Sequence, residues 1–198
     1  MNRGFTVVEI LVTLVIMAIL LTLGVVSMRS VQASARDQER QSDVETIARG
    51  LEQRYNRGNP VITATTDPNE AKAGSYPGVN EMIHMTGDFR SGYTPDTVPG
   101  GYLYAALPGT SPGSFSNPAG QNIWTIVCVW ACSPAGNSAQ ISSAFGGSDK
   151  YVYEPVDVNG NICCCGNCNS FNLYWKSETD STVVNGIAGL KTVKSLHR

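Results

Sequence analysis

The chain has 198 residues, enough for one ordinary globular domain. Charged residues make up only 15% of it, well below the about 25% of average soluble domains. A net charge of −2 and a pI near 5.6 exclude a whole-chain basic surface for gripping nucleic acid.

The first predicted element is an apolar rod. Ile10 to Met28 is a run of 19 residues without a charge or a Pro. As a helix it is about 28 Å long, close to the about 30 Å of a bilayer core. Thr13, Thr22 and Ser27 can return their hydroxyls to helix carbonyls, so they do not forbid insertion. A plain single-span anchor fits this run. A secretory signal fits it less well. Ala33-Ser34-Ala35 offers a small-residue cut, but the run exceeds the usual span of about 7–15 residues and Arg29 intervenes.

Met1-Asn2-Arg3-Gly4 precedes Phe5, and the Glu9 carboxylate falls just inside the apolar stretch. An unpaired charge in a bilayer is costly and invites a partner. The next side-chain cation is Arg29, about 30 Å away along a helix, so the partner is expected from elsewhere. A cut after Gly4 would create an α-amino group on Phe5, which could meet Glu9 of its own chain or of a neighbour.

Beyond Met28 the chain turns polar but keeps a helical period. Val44, Ile47, Ala48, Leu51 and Tyr55 form one stripe. Arg36, Asp37, Glu39, Arg40, Asp43, Glu45, Arg49, Glu52 and Arg54 are assigned to the wet face, with Glu45–Arg49 as an i,i+4 pair. Gly50 is tolerated within the pattern, and Gly58-Asn59-Pro60 stops it. The expectation is one helix over residues 5–57, about 80 Å long, apolar all round in its first half and amphipathic in its second. The stripe needs a cover, which the rest of the chain must supply.

Residues 58–100 read as a long connection with one short helix at Gly78–Met85. Strands are expected at Gly101–Leu107, Asn122–Trp130, Lys150–Val158 and Ser170–Lys176. Pro155 makes the third an edge strand or ends it early. Trp124, Ile126, Cys128 and Trp130 share one face, as do Phe171, Leu173 and Trp175. The tail, Val183–Leu196, fits a closing strand or a short helix. The fold class is therefore α+β: one long N-terminal helix packed on a small antiparallel sheet.

Six cysteines, Cys128, Cys132, Cys163, Cys164, Cys165 and Cys168, all lie in the head. Outside the membrane they read as disulfides, with about 15 possible pairings. Cys128 and Cys132 can pair only if the chain turns between them. The alternative ties each of them to the 163–168 cluster. The rival chemistry is a zinc site from Cys128-x3-Cys132 and Cys165-x2-Cys168. Asp157, Asn159 and Asn161 supply oxygen ligands of the calcium kind, with Glu178 and Asp180 as further candidates, or they form a plain Asn-Gly turn. No other cofactor is expected. His84 and His197 read as isolated surface residues, and no nucleophile motif or phosphate-binding loop is present in the sequence, so an enzyme is not expected.

Gly4, Phe5, Thr6, Val7, Val8 and Glu9, followed by the apolar run, resemble the type IV pilin and pseudopilin family. The resemblance implies a leader, 1–4, removed by a prepilin peptidase between Gly4 and Phe5, with N-methylation of Phe5. It implies a membrane and filament-core segment, 5–28, an amphipathic half-helix, 29–57, and an extracellular head, 58–198. Glu9 would be the assembly residue, pairing with the amino group of a subunit already in the filament. The implied partners are other copies of the chain or other pilins, the peptidase, and an assembly platform protein with its ATPase. The chain would wait in the cytoplasmic membrane, then join a surface filament. In many pilins a disulfide pins the C-terminal loop, and some pseudopilins bind calcium in the head. The charges Arg29, Arg36 and Arg40 beyond the span oppose the positive-inside rule, so the orientation rests on the resemblance. Major pilins often carry Pro near the middle of this helix, whereas here Gly24-Val25-Val26 stands there. The choice between major pilin and minor pilin or pseudopilin stays open, as does a role in adhesion for Tyr93, Tyr102 and Tyr104. An anchored, disulfide-rich binding domain that does not polymerise is the remaining alternative.

Overall fold

A computed structural model describes residues 6–58, 73–78, 82, 107, 109–110, 112–115, 118, 124–125, 134–146, 150–163 and 168–197. The expected strand at Gly101–Leu107 (save Leu107) falls outside these residues, as does most of the short helix at Gly78–Met85. Tyr93, Tyr102, Tyr104 and His84 fall outside them too.

Helix α1 runs from Val7 to Arg57, 51 residues without a break. It passes Gly24 as helix, where a side chain would meet open space. Gly58 ends it, and the Gly58 N–H caps the Arg54 carbonyl at 2.8 Å. Gly50 has a packing reason: a Cβ there would sit 3.2 Å from Leu107 Cβ, so the helix backbone and this segment approach closely. Glu45 and Arg49 do not pair as expected. Glu45 accepts from Gln41 at 2.9 Å, and Arg49 donates to Thr46.

The head is a four-stranded sheet. β1 is Trp124–Thr125, β2 is Val152–Val156, β3 is Ser170–Lys176, β4 is Val183–Val184, β5 is Ile187–Ala188 and β6 is Leu190–Lys194. The order is β1-β2-β3-β6, and β4 and β5 form a separate hairpin. β2–β3 and β3–β6 are antiparallel, but β1 pairs parallel with β2, so the sheet is mixed at that edge. Of the strand expected over Asn122–Trp130, only Trp124–Thr125 is described.

β3 occupies the residues read from the alternation Phe171, Leu173, Trp175, and all three are buried. They pack with Val44, Ile47, Ala48 and Leu51 of α1, which places the apolar stripe against the sheet as expected. The Pro155 carbonyl accepts from Cys163 N, so its ring nitrogen faces the same side, away from β3. Pro155 therefore pairs with Phe171 without removing a bond of the β2–β3 ladder.

A second layer was not legible in the sequence. Helix α2, Ser138–Phe145, covers the other face of the sheet. Asn137 caps it through its side-chain oxygen, and Gly146 ends it in a left-handed conformation. Ile141, Ala144 and Phe145 pack on Val152, Ile162, Tyr174, Ile187 and Leu190. Glu154 is fully buried on this face. It accepts from Gly136 N, Asn172 Nδ2 and Tyr174 Oη at 2.7–2.9 Å, which satisfies the carboxylate within the sheet.

The tail resolves as strands. Asn185 and Gly186 both have positive φ, the requirement of a type I′ turn, and join β4 to β5. Gly189 follows with φ 70°, where a Cβ would lie 2.5 Å from the Ser177 carbonyl oxygen and 2.9 Å from that of Asp180. Both atoms are backbone and cannot swing aside. A Gly189→Ala substitution is expected to cost at least about 2 kcal/mol and to lower the thermal midpoint by several degrees, measured by circular dichroism on the detergent-solubilised chain.

Candidate functional site

Two places on α1 carry chemistry: its first turn and the level at which the head begins. Gly4 and Phe5 lie outside the described residues. At the first turn, Thr6 is the N-cap. Its Oγ1 accepts from Glu9 N, while Glu9 Oε2 accepts from Thr6 N and Thr6 Oγ1, each at 2.9 Å. This capping box gives Glu9 neutral donors within its own first turn, in addition to the cationic partner that the sequence reading expects from a Phe5 amino group. The helix terminus itself holds the carboxylate, and the positive end of the helix dipole favours it there. Every residue described from Val7 to Val25 is exposed, so the apolar rod is covered by nothing in its own chain.

At the other end of the apolar half, the expected wet face is not wet. Asp37, Arg40 and Arg54 are buried, with Arg40 only 2% exposed. The loop after β3 closes over Asp37. The carboxylate accepts from Ser177 Oγ at 2.6 Å, Thr179 Oγ1 at 2.7 Å, and the backbone N–H groups of Glu178 and Thr179. Arg40 Nη1 donates to Asp37 Oδ1 at 2.9 Å and Arg40 Nη2 to Glu178 Oε1 at 2.6 Å. Arg36 Nε adds a bond to the same Glu178 oxygen at 2.9 Å. Two arginines and two carboxylates thus form one charge-assisted cluster between rod and head. Two of the three arginines beyond the span are neutralised this way.

Further along α1 the other polar residues are docking points too. Tyr151 Oη donates to Asp43 Oδ2, and Tyr76 Oη to Glu52 Oε2, each at 2.8 Å. Burial, and then the acceptor carboxylates, push both phenols well above their ordinary range, so they remain donors. Glu52 also accepts from Leu196 N, and His197 stacks on Tyr55 with ring centroids 4.1 Å apart. His197 is therefore part of the tail's anchorage and not an isolated surface residue.

The electrostatics of the cluster follow from its geometry. Burial acts to raise the Asp37 pKa. The hydrogen bonds from Ser177, Glu178 and Thr179 outweigh it and hold the carboxyl well below the usual carboxylate range. Arg36, against the opposing effect of burial and with help from Arg40, holds Glu178 down to about 2.

Cys163 and Cys168 form a disulfide, both buried in the core between α1 and the sheet. The expected bridges from Cys128 and Cys132 into the cluster do not use these two sulfurs, and the proposed zinc set loses Cys168. Cys128, Cys132, Cys164 and Cys165 lie outside the described residues. Asp157 Oδ1 accepts from Asn159 N and Asn161 N, each at 2.8 Å, so this carboxylate shapes its own turn. Glu178 and Asp180 do not join it. Glu178 pairs with Arg36 and Arg40 of α1, and Asp180 pairs with Lys191. Among the described residues no group of three or more His, Cys, Asp or Glu could hold a metal ion.

Both carboxylates of the cluster have depressed pKa values. Their stabilisation is therefore complete above their unfolded values, near about pH 4, and drains as pH falls toward 2. The thermal midpoint is expected to hold from pH 7 to about 5 and to fall below about 4. Asp37→Asn should flatten that fall, and Asp37→Ala should cost about 2–3 kcal/mol at neutral pH by leaving Arg40 and two N–H groups short of an acceptor.

Comparisons with curated proteins and with solved structures find no match. Residues 1–25 match the model of the prokaryotic N-terminal methylation motif. That match spans Gly4, Phe5 and Glu9 and all but the last three residues of the apolar run. The chain carries the prokaryotic N-terminal methylation motif, the signature of type IV pilins and pseudopilins.

Proposed function

We propose that this chain is a structural, non-catalytic subunit of a type IV pilus-like filament. It is made as a membrane-anchored precursor, cut by a prepilin peptidase between Gly4 and Phe5, and methylated on Phe5. The observation that carries this reading is the conjunction of the methylation motif with an apolar half-helix that its own chain leaves wholly uncovered. Lipid covers that surface before assembly, and the rods of other subunits cover it afterwards. Exchange of lipid for helix contact supplies little hydrophobic gain, so close packing and specific polar pairs must choose the register.

Glu9 is the polar pair of this reading. Both Thr6 bonds go to Oε2, and Oε1 is the atom that meets the α-ammonium of a neighbouring Phe5. A head-to-tail contact of this kind does not close on itself and gives a filament. The head forms the outer surface, and an assembly platform with its ATPase supplies the extraction step. A minor pilin or pseudopilin position is the second reading, favoured by a helix that runs through Gly24 without a Pro or a break. The chemistry at the first turn is the same in both.

Mass spectrometry of the protein recovered from sheared surface material tests the processing. The expected N-terminus is N-methyl-Phe5, whereas a Met1 or Arg36 start overturns the reading. A Glu9→Ala variant is expected to insert in the membrane at the normal level and to disappear from the sheared fraction. Normal polymerisation of that variant would remove Glu9 from its role.

A further inference from the structure

We propose that the open edge of β6, with the face of α1 beside it, is a groove for an extended strand of a different protein anchored in the same membrane. This rests on the membrane-anchored reading above. The edge follows from the hydrogen-bond alternation. Ser177 N donates to the Gly189 carbonyl and Ser195 N to the Phe171 carbonyl, so the odd-numbered residues of β6 turn their backbone groups toward β3. The N–H and C=O of Thr192 and Lys194 point the opposite way. β6 is the last strand of the sheet on that side, and both residues are exposed. Leu196 N, next in the same row, is already taken by Glu52 Oε1. Among the described residues nothing pairs with the outward backbone of Thr192 or Lys194.

Across the groove from Thr192 stand Ser34, Gln38, Gln41 and Glu45, which share one face of α1. Trp175 also lines the groove. It is only 7% exposed, and its indole N–H meets no acceptor among the described residues. A buried donor of this kind normally has a partner. The charges nearby are satisfied within the chain. Asp180 pairs with Lys191, Asp37 is held by Arg40 and the loop after β3, and Glu45 accepts from Gln41. The groove therefore offers a row of backbone donors and acceptors, a spare indole N–H and side-chain amides. An extended peptide backbone matches all three, by adding a strand to the sheet.

Area and orientation name the partner. A strand beside Thr192 and Lys194 buries far less than the about 800 Å² per side of a stable free complex. The occupant must therefore be held close by other means, and a shared membrane supplies them. The groove stands about 9–26 Å above Met28 along α1, a height reached by the first residues outside a neighbouring span. A second copy does not fit in one membrane. β6 runs in the same direction as α1, from Lys191 in the groove to Leu196 at Glu52. Pairing it antiparallel with another β6 would set the two rods in opposite directions. Continuing the sheet through the β1 edge of another copy would cross the rods by about 80–100°, the twist accumulated over four strand steps. The strand comes from a different membrane protein, and its binding orients the head of the subunit before assembly.

The test uses the full chain in its own cells, with the photo-crosslinker benzoylphenylalanine at Gln38 on the exposed groove wall and, as a control, at exposed Ser138 of α2. Irradiated membranes are expected to give an adduct from the Gln38 probe alone. Its partner peptide, mapped by mass spectrometry, is expected within about ten residues of the span of a different membrane protein. Thr192→Pro removes the outward N–H without touching the β3 ladder and should cut the adduct about tenfold, whereas Thr192→Ala keeps it. Trp175→Phe removes the indole N–H and should cut it several-fold. The proposal is overturned by an adduct to a second copy, to the chain itself or to a soluble protein, and equally by no adduct at all. An adduct undiminished in a Thr192→Pro variant that melts like the parent chain overturns it too. If that variant melts early, Trp175→Phe decides, and an undiminished adduct there overturns it. Recovery of the chain outside the membrane fraction would instead overturn the membrane-anchored reading itself.

Discussion

The end of the head nearest the apolar half of the rod is organised around one carboxylate. Asp37 lies on the buried stripe of α1, and the loop after β3 folds two backbone N–H groups and two hydroxyls onto it. Without that acceptor the loop 177–179 would lose the one charged group on which its donors converge. Arg40 completes the arrangement from the same helix face by bonding both Asp37 and Glu178. Gly189 permits it, since only a residue without Cβ fits against the Ser177 and Asp180 carbonyls.

The two halves of α1 solve opposite problems with one secondary structure. The first half, past its capped first turn, satisfies its backbone within the helix and has an apolar surface that needs lipid or other helices. The second half carries its own cover, through Val44, Ile47 and Leu51 against Phe171, Leu173 and Trp175. The sheet in turn is apolar on both faces, so it needs α2 as well as α1. The order of layers is therefore helix, sheet, helix, with the long rod extending past the sandwich on one side only.

Much of this was legible in the sequence because it is periodic and local. The run without charge, the stripe from Val44 to Tyr55, the stop at Gly58 and the alternation in Ser170–Lys176 each rest on a short-range rule. Asp37, Arg40 and Arg54 depart from the expected wet face because their spacing, and not their charge, decides which side of the helix they take. They continue the sequence 44, 47, 51 at steps of three and four, which was the available signal. Asn185-Gly186 is likewise a hairpin signal in the tail. The parallel pairing of β1 and the Cys163–Cys168 bridge are different in kind. The first depends on which distant segments meet, and the second, though only five residues apart, is one choice among the pairings that six cysteines leave open. α2 is short and rich in Ser and Ala, so its apolar side is only three residues wide.

The continuity of α1 has a mechanical consequence. The rod is about 77 Å long and contains no Pro, bulge or break at which it would fold preferentially. A tension applied to the head enters it at Asp37 and Arg40 and travels along the axis to the first turn. The bonds at that entry point are several, short and shared between two side chains and a loop, so they are loaded together and not peeled one by one. The stiffest element of the molecule is thus also its load path.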